Sequence, residues 1–298
     1  MLLLTGATGN IGRELTRELT RTGTEFRALI RNPARAADLP ATVDPFIGDL
    51  TEPSTLTPAF ADVTTLFLLI PGIGTDLAHN ALTAAQSAGV RRMVLLSSIH
   101  AMIDPLPAMG RWHRDREDLV HATGIPATII RPGGYMTNAL EWAPAIRAGH
   151  PIDDPTGPGR YAPIHPADIA AVIAKALIED GHEGNSYNLT GPESFTVAEQ
   201  VAVLAQVLNR EIKVLEAATP EEALRSRYPN GAPPALASAI LEWFTLMRAD
   251  TIGLRTDTVT ELLSRQPRTF ESWCQQHRAA FEPAAPANLG IAQPADSE

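Results

Sequence analysis

The 298-residue sequence contains one cysteine, Cys274, and two lysines, Lys175 and Lys213. A single cysteine excludes an intramolecular disulfide and fits a reducing compartment, so we expect a cytoplasmic protein. Acidic residues outnumber basic ones, and the formal net charge of −10 disfavours nucleic acid and anionic membranes as partners. No apolar run approaches the length of a membrane span. The expected partner is therefore a small molecule, and the sequence does not indicate an oligomeric state.

Two catalytic signals are also missing. No cluster of His, Cys, Asp or Glu has the spacing of metal ligands, so we expect no metal site. No Gly-x-Ser-x-Gly segment is present, which removes the usual signal of a serine hydrolase on an α/β fold.

Short apolar segments alternate with helical patterns through the first half of the chain. The predicted strands are residues 2–4, 26–30, 45–47, 65–70, 93–96 and 127–130. Continuous apolar character is typical of strands that are buried on both faces of a parallel sheet, and the helices between them supply the crossovers. The predicted fold class is α/β, a Rossmann-type doubly wound parallel sheet.

The pattern changes near residue 137, where prolines break the chain into loops before further helices follow. We expect an NADP-binding Rossmann domain over residues 1–136. A smaller C-terminal α+β substrate lobe is expected over residues 137–281, interleaved with the sheet domain. Residues 282–298 are rich in Ala and Pro and predict a disordered tail.

A glycine-rich segment, Thr5-Gly6-Ala7-Thr8-Gly9-Asn10-Ile11-Gly12, joins the first predicted strand to the first predicted helix. Glycine there allows a tight turn and lets backbone N–H groups at the helix N-terminus approach a pyrophosphate. A preceding strand and a following amphipathic helix are the context in which such a segment binds a dinucleotide. We therefore assign the cofactor phosphates to Gly6, Thr8, Gly9, Asn10, Ile11 and Gly12.

The second predicted strand ends in Arg31-Asn32-Pro33. A carboxylate at this place would bind the ribose 2′-hydroxyl of NADH, whereas an arginine suits the 2′-phosphate of NADPH, so the sequence favours NADPH over NADH. Asp49, after the third strand, either contacts the adenine or caps the helix that follows. Pro71, at the end of the fourth strand, is expected to border the nicotinamide ribose.

These segments together resemble the atypical short-chain dehydrogenase/reductases, and most of all their NmrA-like group. The resemblance rests on Gly6-Ala7-Thr8-Gly9-Asn10-Ile11-Gly12, Arg31-Asn32-Pro33, Gly48-Asp49-Leu50, Ser97-Ser98, His113-Arg114-Asp115-Arg116-Glu117, Ile130-Arg131-Pro132-Gly133 and Ile164-His165-Pro166-Ala167-Asp168. The group includes quinone oxidoreductases, triphenylmethane reductases and cofactor-sensing regulators without turnover. The resemblance implies an NADPH-binding Rossmann fold with a small C-terminal substrate lobe.

The chain lacks the Tyr-x-x-x-Lys pair of typical short-chain dehydrogenases, because Ala171 and Asn209 stand four residues before its two lysines. A mechanism in which that tyrosine donates the proton is excluded. His113 occupies the place where the resemblance puts the lysine. It is expected to bind the nicotinamide ribose, to relay a proton with a pKa of roughly 6 to 7, or to pack on the sheet. Glu117, one helical turn further on, is expected to orient the His113 ring.

Ser97 and Ser98 follow the fifth predicted strand, at the edge where open α/β sheets bind their ligands. We assign Ser97 to cofactor binding and Ser98 to catalysis, with a plain hydrogen-bonding role at the strand end as the alternative for both.

Tyr135, Met136 and Asn138 follow the sixth predicted strand, and Trp142 lies just beyond them. Aromatic and methionine side chains suit a flat apolar ligand. We expect Tyr135 to take part in catalysis, and Met136, Asn138 and Trp142 to contact the substrate. The alternative is that each packs in the core or in the lobe.

The leading hypothesis is an NADPH-dependent oxidoreductase that reduces a small, flat, apolar acceptor such as a quinone, an enone or a dye-like aromatic. The cofactor carries the hydride, and a polarised acceptor can take its proton from water or a hydroxyl, so the missing Tyr-Lys pair is tolerable. Two alternatives keep the cofactor: a non-catalytic NADP(H)-sensing regulator, and an isomerase or cyclase that uses the same pocket.

Overall fold

Seven parallel strands form the central sheet. The computed structural model describes residues 1–250 and 253–283, apart from the side chains of residues 226 and 227. The strands within that part are β1 (Leu2–Thr5), β2 (Phe26–Ile30), β3 (Asp44–Ile47), β4 (Thr65–Leu68), β5 (Arg92–Leu96), β6 (Ala127–Pro132), β7 (Ile152–Asp154), β8 (Ser186–Leu189) and β9 (Val214–Glu216). The order across the sheet is β3-β2-β1-β4-β5-β6-β8. It reverses between β1 and β4, which makes the crevice there the expected ligand site of a doubly wound sheet.

Helices cover both faces of this sheet. In chain order they are α1 (Asn10–Arg21), α2 (Pro53–Ala59), α3 (Asp76–Ala88), α4 (Ala108–Ala122), α5 (Ala143–Ala148), α6 (Pro166–Ile178), α7 (Val197–Leu208), α8 (Pro220–Arg227), α9 (Pro234–Arg248), α10 (Thr258–Leu263), α11 (Phe270–Gln276) and α12 (Arg278–Phe281). Helices α1 and α6 pack on one face, and α2, α3 and α4 pack on the other. The predicted doubly wound α/β fold is confirmed.

Helix α1 shows how the sequence builds these layers. Ile11, Leu15 and Leu19 recur at helical spacing, and all three side chains are buried against the sheet. The helix gives way to a turn at Gly23, whose φ of +70° is one that side-chain-bearing residues rarely adopt.

The C-terminal lobe has its own apolar core. Phe270 and Trp273 of α11 are fully buried there beside α5, α7 and α12. Strands β7 and β9 pair in parallel as a separate two-stranded sheet. A smaller cluster joins α8 to α9 through Ala223, Ile240 and Phe244. The lobe lies beside the C-terminal ends of β5 and β6, where it helps to enclose a cavity.

The chain crosses between lobe and sheet more than once. Strand β8 and helix α6 lie beyond residue 137, yet β8 completes the sheet and α6 packs against α1. The predicted disordered tail lies outside the described residues from position 284 onward. Within the described part, no helix is long and apolar enough to cross a membrane.

Candidate active site

The loop between β1 and α1 leaves a helix N-terminus open to an anionic ligand. Gly6 adopts a φ of +71°, and the N–H of Gly9 donates to the carbonyl of Gly6 at 3.0 Å, which closes the turn. Gly9 caps α1 without a side-chain hydrogen bond, and the first turn carries no acidic residue. The orphan N–H groups and the positive end of the helix dipole therefore face outward, as a pyrophosphate requires.

Glycine is required at two positions of this loop for different reasons. A Cβ on Gly12 would lie 2.0 Å from the carbonyl oxygen of Gly6, so the packing of the helix on the loop requires glycine. A Cβ on Gly9 would meet nothing closer than that same oxygen at 3.4 Å, so the fold itself tolerates a side chain there. The space in front of Gly9 is a cradle that a Cβ would fill, and the residues present fit a dinucleotide.

Ile11 can meet a cofactor only through its backbone. Its side chain is buried in the core beneath the loop, next to Leu4 and Leu15, so only its backbone is available to a cofactor. Thr8 is half-buried and Asn10 is exposed at the open side of the loop.

Three arginines surround the place where the adenosine ribose is expected. Arg31, at the end of β2, is exposed and makes no hydrogen bond or ion pair with the described residues. Arg35 donates to the carbonyl of Thr8 at 3.4 Å and pairs with Asp38 at 2.7 Å. Arg13 of α1 contacts the same carboxylate at 3.4 Å. Sequence reasoning missed Arg13, because only the packing of α1 beside β2 brings it to this edge.

Asp49 already has a local partner. Its carboxylate accepts a hydrogen bond from the N–H of Thr51 at 2.9 Å, and its own N–H donates to the Thr55 hydroxyl at 3.0 Å. These bonds form a turn before α2, whose N-cap residue is Glu52, so the alternative that Asp49 caps the helix is wrong. A contact with the adenine stays a prediction.

The loop after β4 is held by a residue that sequence reasoning missed. The buried guanidinium of Arg116 donates to the carbonyls of Ile70 at 3.1 Å, Gly72 at 2.7 Å and Gly74 at 2.9 Å. These bonds fix the backbone around the exposed Pro71, which was expected to border the nicotinamide ribose. Arg116 lies within the segment that carried the family resemblance, but its target is set by the fold.

Glu117 does not orient His113, contrary to expectation. Its carboxylate is 1% exposed and forms a bidentate pair with Arg131 of β6, at 2.9 and 2.5 Å. The Ser97 hydroxyl donates to the same carboxylate. A carboxylate buried this deeply needs a full positive charge beside it, and Arg131 supplies one where His113 does not. The hydroxyl of Ser97 therefore has the plain hydrogen-bonding role that was its alternative, and its contact with a cofactor stays a prediction.

His113 is half-buried on α4. Burial and the neighbouring Arg116 cation lower its pKa to about 4, against a smaller opposing effect of Glu117. The imidazole is therefore neutral at neutral pH, and the expected pKa of roughly 6 to 7 is wrong. Contact with the nicotinamide ribose stays a prediction.

A cavity of about 810 Å³ opens between the ends of β5 and β6 and the lobe. Its wall includes five aromatic side chains: Trp142, Tyr161, Tyr228, Trp243 and Phe244. The glycines Gly133 and Gly134, directly after β6, form part of its floor, together with Ile99 and His100 after β5. The cavity therefore adjoins the C-terminal ends of the strands, where a doubly wound fold holds the reacting part of its ligands.

The predicted substrate residues divide between this cavity and the core. Asn138 and Trp142 border the cavity. Met136 does not, because it is 1% exposed in the apolar core of the lobe, so its assignment is corrected. In the 3-10 turn Met136–Trp142 the three-residue repeat turns Met136 and Ala139 inward, whereas Asn138 lies on the cavity side. Trp142 packs partly on the lobe core and also borders the cavity.

Tyr135 packs against the core of the sheet domain and is not among the residues that border the cavity. Burial raises the pKa of its phenol to about 12, so the hydroxyl keeps its proton at neutral pH. Its assignment to catalysis stays a prediction.

Comparison with known proteins agrees with the phosphate loop and the sheet order. The family model described as NAD(P)H-binding matches residues 6–180. The chain belongs to this NAD(P)H-binding family. It is 36% identical over 284 residues to an NAD(P)H azoreductase of Xenophilus azovorans, which covers 94% of this chain and 99% of that protein. Membership of the NmrA-like atypical short-chain dehydrogenase/reductases is confirmed.

Two further relatives agree with that assignment. A (4-alkanoyl-5-oxo-2,5-dihydrofuran-3-yl)methyl phosphate reductase of Streptomyces griseus is 34% identical over 285 residues, covering 95% of this chain and 100% of that protein. An NADPH-dependent quinone oxidoreductase of Escherichia coli, solved with NADPH, superposes with a TM-score of 0.81 at 27% identity, covering 93% of this chain and 99% of that one. This chain is an NAD(P)H-dependent oxidoreductase.

Proposed function

We propose that this enzyme uses NADPH to reduce a small, flat, apolar acceptor with a polarised double bond, such as a quinone, an enone or a dye-like aromatic. One observation carries the proposal: the cavity beside β5 and β6 is walled by aromatic side chains and is large enough for a ring system. Stacking on such side chains favours planar ligands. Two relatives are an azoreductase and a quinone oxidoreductase, and these activities point to acceptors of the same kind.

The protonation states of the predicted catalytic groups support an activated acceptor. His113 is neutral and Tyr135 is protonated at neutral pH, and neither pKa lies near 7. General acid catalysis works best when the pKa of the acid lies near the working pH. A quinone or an enone needs less help from an acid than an unactivated ketone does, because its conjugation spreads the incoming charge.

The arginines near the end of β2 support the choice of NADPH. Arg31 is exposed and unengaged within the described residues, and Arg35 and Arg13 stand nearby. A 2′-phosphate would gain charge-assisted hydrogen bonds there that the 2′-hydroxyl of NADH would not. The open side of the Gly9 loop would hold the pyrophosphate between the two ends of the cofactor.

The test is the oxidation of NADPH by the purified protein with a panel of naphthoquinones, enones, azo dyes and simple aliphatic ketones. We expect turnover with the conjugated acceptors and little with the ketones, and a lower KM for NADPH than for NADH. Trp142→Ala should raise the KM for the acceptor and leave the KM for NADPH unchanged. Trp112→Ala, on α4 and away from the cavity wall, is the matched control. No NADPH oxidation with any conjugated acceptor would contradict the proposal.

A further inference from the structure

A serine and a histidine form a hydrogen-bonded pair directly after β5. Ser98 caps the 3-10 turn Ile99–Met102, and its hydroxyl lies 2.8 Å from Nδ1 of His100. His100 lines the aromatic cavity. The sequence predicted a role for Ser98 but none for His100, because the residues around a histidine in the chain do not show whether it borders a cavity.

Two hydrogen bonds meet at the Ser98 hydroxyl beside this imidazole. The backbone N–H of His100 donates to the Ser98 hydroxyl oxygen at 3.3 Å. Nδ1 of His100 is the only acceptor that the hydroxyl's own hydrogen reaches among the described residues. When the hydroxyl donates, Nδ1 is the acceptor of the pair and the proton of a neutral ring resides on Nε2, whereas an Nδ1–H that donates to the hydroxyl would leave a lone pair on Nε2.

The Nε2 atom is buried and has no hydrogen-bond partner in the described part of the chain. The ring is held edge-on against Trp243, with 4.1 Å between centroids and 89° between planes. Burial, with a smaller contribution from His113, lowers the pKa of His100 to about 4, so the ring stays neutral at neutral pH. A buried polar atom without a partner is costly. A ligand in the cavity reaches Nε2 only when the side chains that cover it shift, and a hydrogen bond to Nε2 would then remove that cost.

We propose that His100 is a catalytic residue whose Nε2–H donates a hydrogen bond to the oxygen or nitrogen atom of the acceptor that receives the electron pair. Ser98 is the positioning residue, because its hydroxyl holds Nδ1 as an acceptor and so keeps the proton on Nε2. This inference rests on the proposed reductase function, and it adds the group that recognises and polarises the acceptor where no Tyr-Lys pair exists.

The balance of the step is simple. The acceptor takes a hydride from the reduced nicotinamide at one end of its conjugated double bond, and the π pair moves to its oxygen or nitrogen. That atom then takes one proton from water, while the nicotinamide becomes oxidised. The Nε2–H bond is not broken. It stabilises the developing negative charge, as a preorganised donor in a water-poor site does. Acceptors whose conjugated system ends in a heteroatom are therefore favoured over apolar alkenes.

Activity provides the first arm of the test. His100→Phe keeps a flat ring against Trp243 but removes the donor, so kcat with naphthoquinone should fall by about 10²- to 10³-fold. His100→Gln places an amide N–H near the position of Nε2 and should recover part of this loss. The affinity for NADPH should stay unchanged in both variants. Wild-type turnover by His100→Phe would overturn the proposal.

The second arm does not depend on turnover. In protein loaded with NADP⁺, which cannot supply a hydride, ¹⁵N NMR should show a protonated Nε2 and an unprotonated Nδ1 for His100. Adding naphthoquinone should shift the Nε2 signal, and Ser98→Ala should weaken the tautomer preference. His182, whose Nδ1 lies 2.9 Å from the Tyr187 hydroxyl, is the internal control and should not respond.

The outcomes separate the two proposals. If wild type reduces no conjugated acceptor, the reductase proposal fails, and the naphthoquinone titration still decides whether Nε2 binds such a ligand. If NADP⁺ alone shifts the Nε2 signal, or if the proton resides on Nδ1, the assignment of His100 to the acceptor is wrong even in an active reductase.

Discussion

Replacing Glu117 and Arg131 by methionine, singly and together, probes the buried network beside the site. The Glu117 side chain is 1% exposed and that of Arg131 is 13% exposed, and two hydrogen bonds join them. Removing one partner of a buried pair strands the other charge and costs about 3–5 kcal/mol. Arg131→Met should cost at least as much as Glu117→Met, because the stranded carboxylate is the more deeply buried charge.

The double variant distinguishes a buried ion pair from simple packing. Methionine is unbranched and similar in length, so Glu117→Met/Arg131→Met removes both charges together without opening a large cavity. Its loss of stability should be several kcal/mol smaller than the sum of the two single losses. The remaining loss of stability includes about 1–3 kcal/mol for the Ser97 hydroxyl, because this hydroxyl no longer has a carboxylate acceptor.

Urea denaturation followed by circular dichroism measures these differences. With a slope of about 3 kcal/mol per molar urea for a chain of this size, each single variant should lower the midpoint by about 1 M or more. His113→Gln at pH 7 is the control, since His113 is outside the network and should leave the midpoint nearly unchanged. Additive losses in the double variant would refute the view that Glu117 and Arg131 act as a pair.

Three further predictions concern the loop, the cofactor and pH. Gly9→Ala should fold normally yet bind NADPH about 10-fold more weakly or worse, whereas Gly12→Ala should lower the melting temperature, because its Cβ would lie 2.0 Å from a carbonyl oxygen. Calorimetric titration and thermal melts separate the two effects. Arg31→Ala should weaken NADPH binding by about 10- to 150-fold and spare NADH, while Arg91→Ala, exposed at the opposite end of the sheet, should change neither. Equal losses for both cofactors would assign Arg31 a structural role. The pKa of His113 is about 4 in the folded chain, against 6.5 in the unfolded chain. Because the unfolded chain binds more protons between these values, the free energy of unfolding decreases as pH falls, by about 3 kcal/mol at pH 4.5. Urea midpoints of wild type and His113→Gln should therefore nearly coincide at pH 7 and diverge as pH falls, with wild type becoming the less stable of the two, and parallel curves would contradict the shift.

The fold and the cofactor loop could be predicted because their signals are local. The central strands β1, β4 and β5 are largely apolar, α1 repeats Ile11, Leu15 and Leu19 at helical spacing, and glycine stands where the backbone must turn tightly. Each of these patterns spans a few residues and depends little on the rest of the chain. The order of elements, joined by right-handed crossovers, then implies the doubly wound sheet.

The polar partners of the site were decided by the tertiary structure. Spacing on α4 predicted that Glu117 orients His113. Folding instead brings the guanidinium of Arg131, on β6, beside that carboxylate, and the two form an ion pair. Arg116 reaches the carbonyls of residues 70, 72 and 74 only after α4 packs on the sheet. The sequence determines which groups carry charge or a proton. Which of them meet is determined by contacts between distant segments, because a buried polar group pairs with whatever the packed layers place within reach.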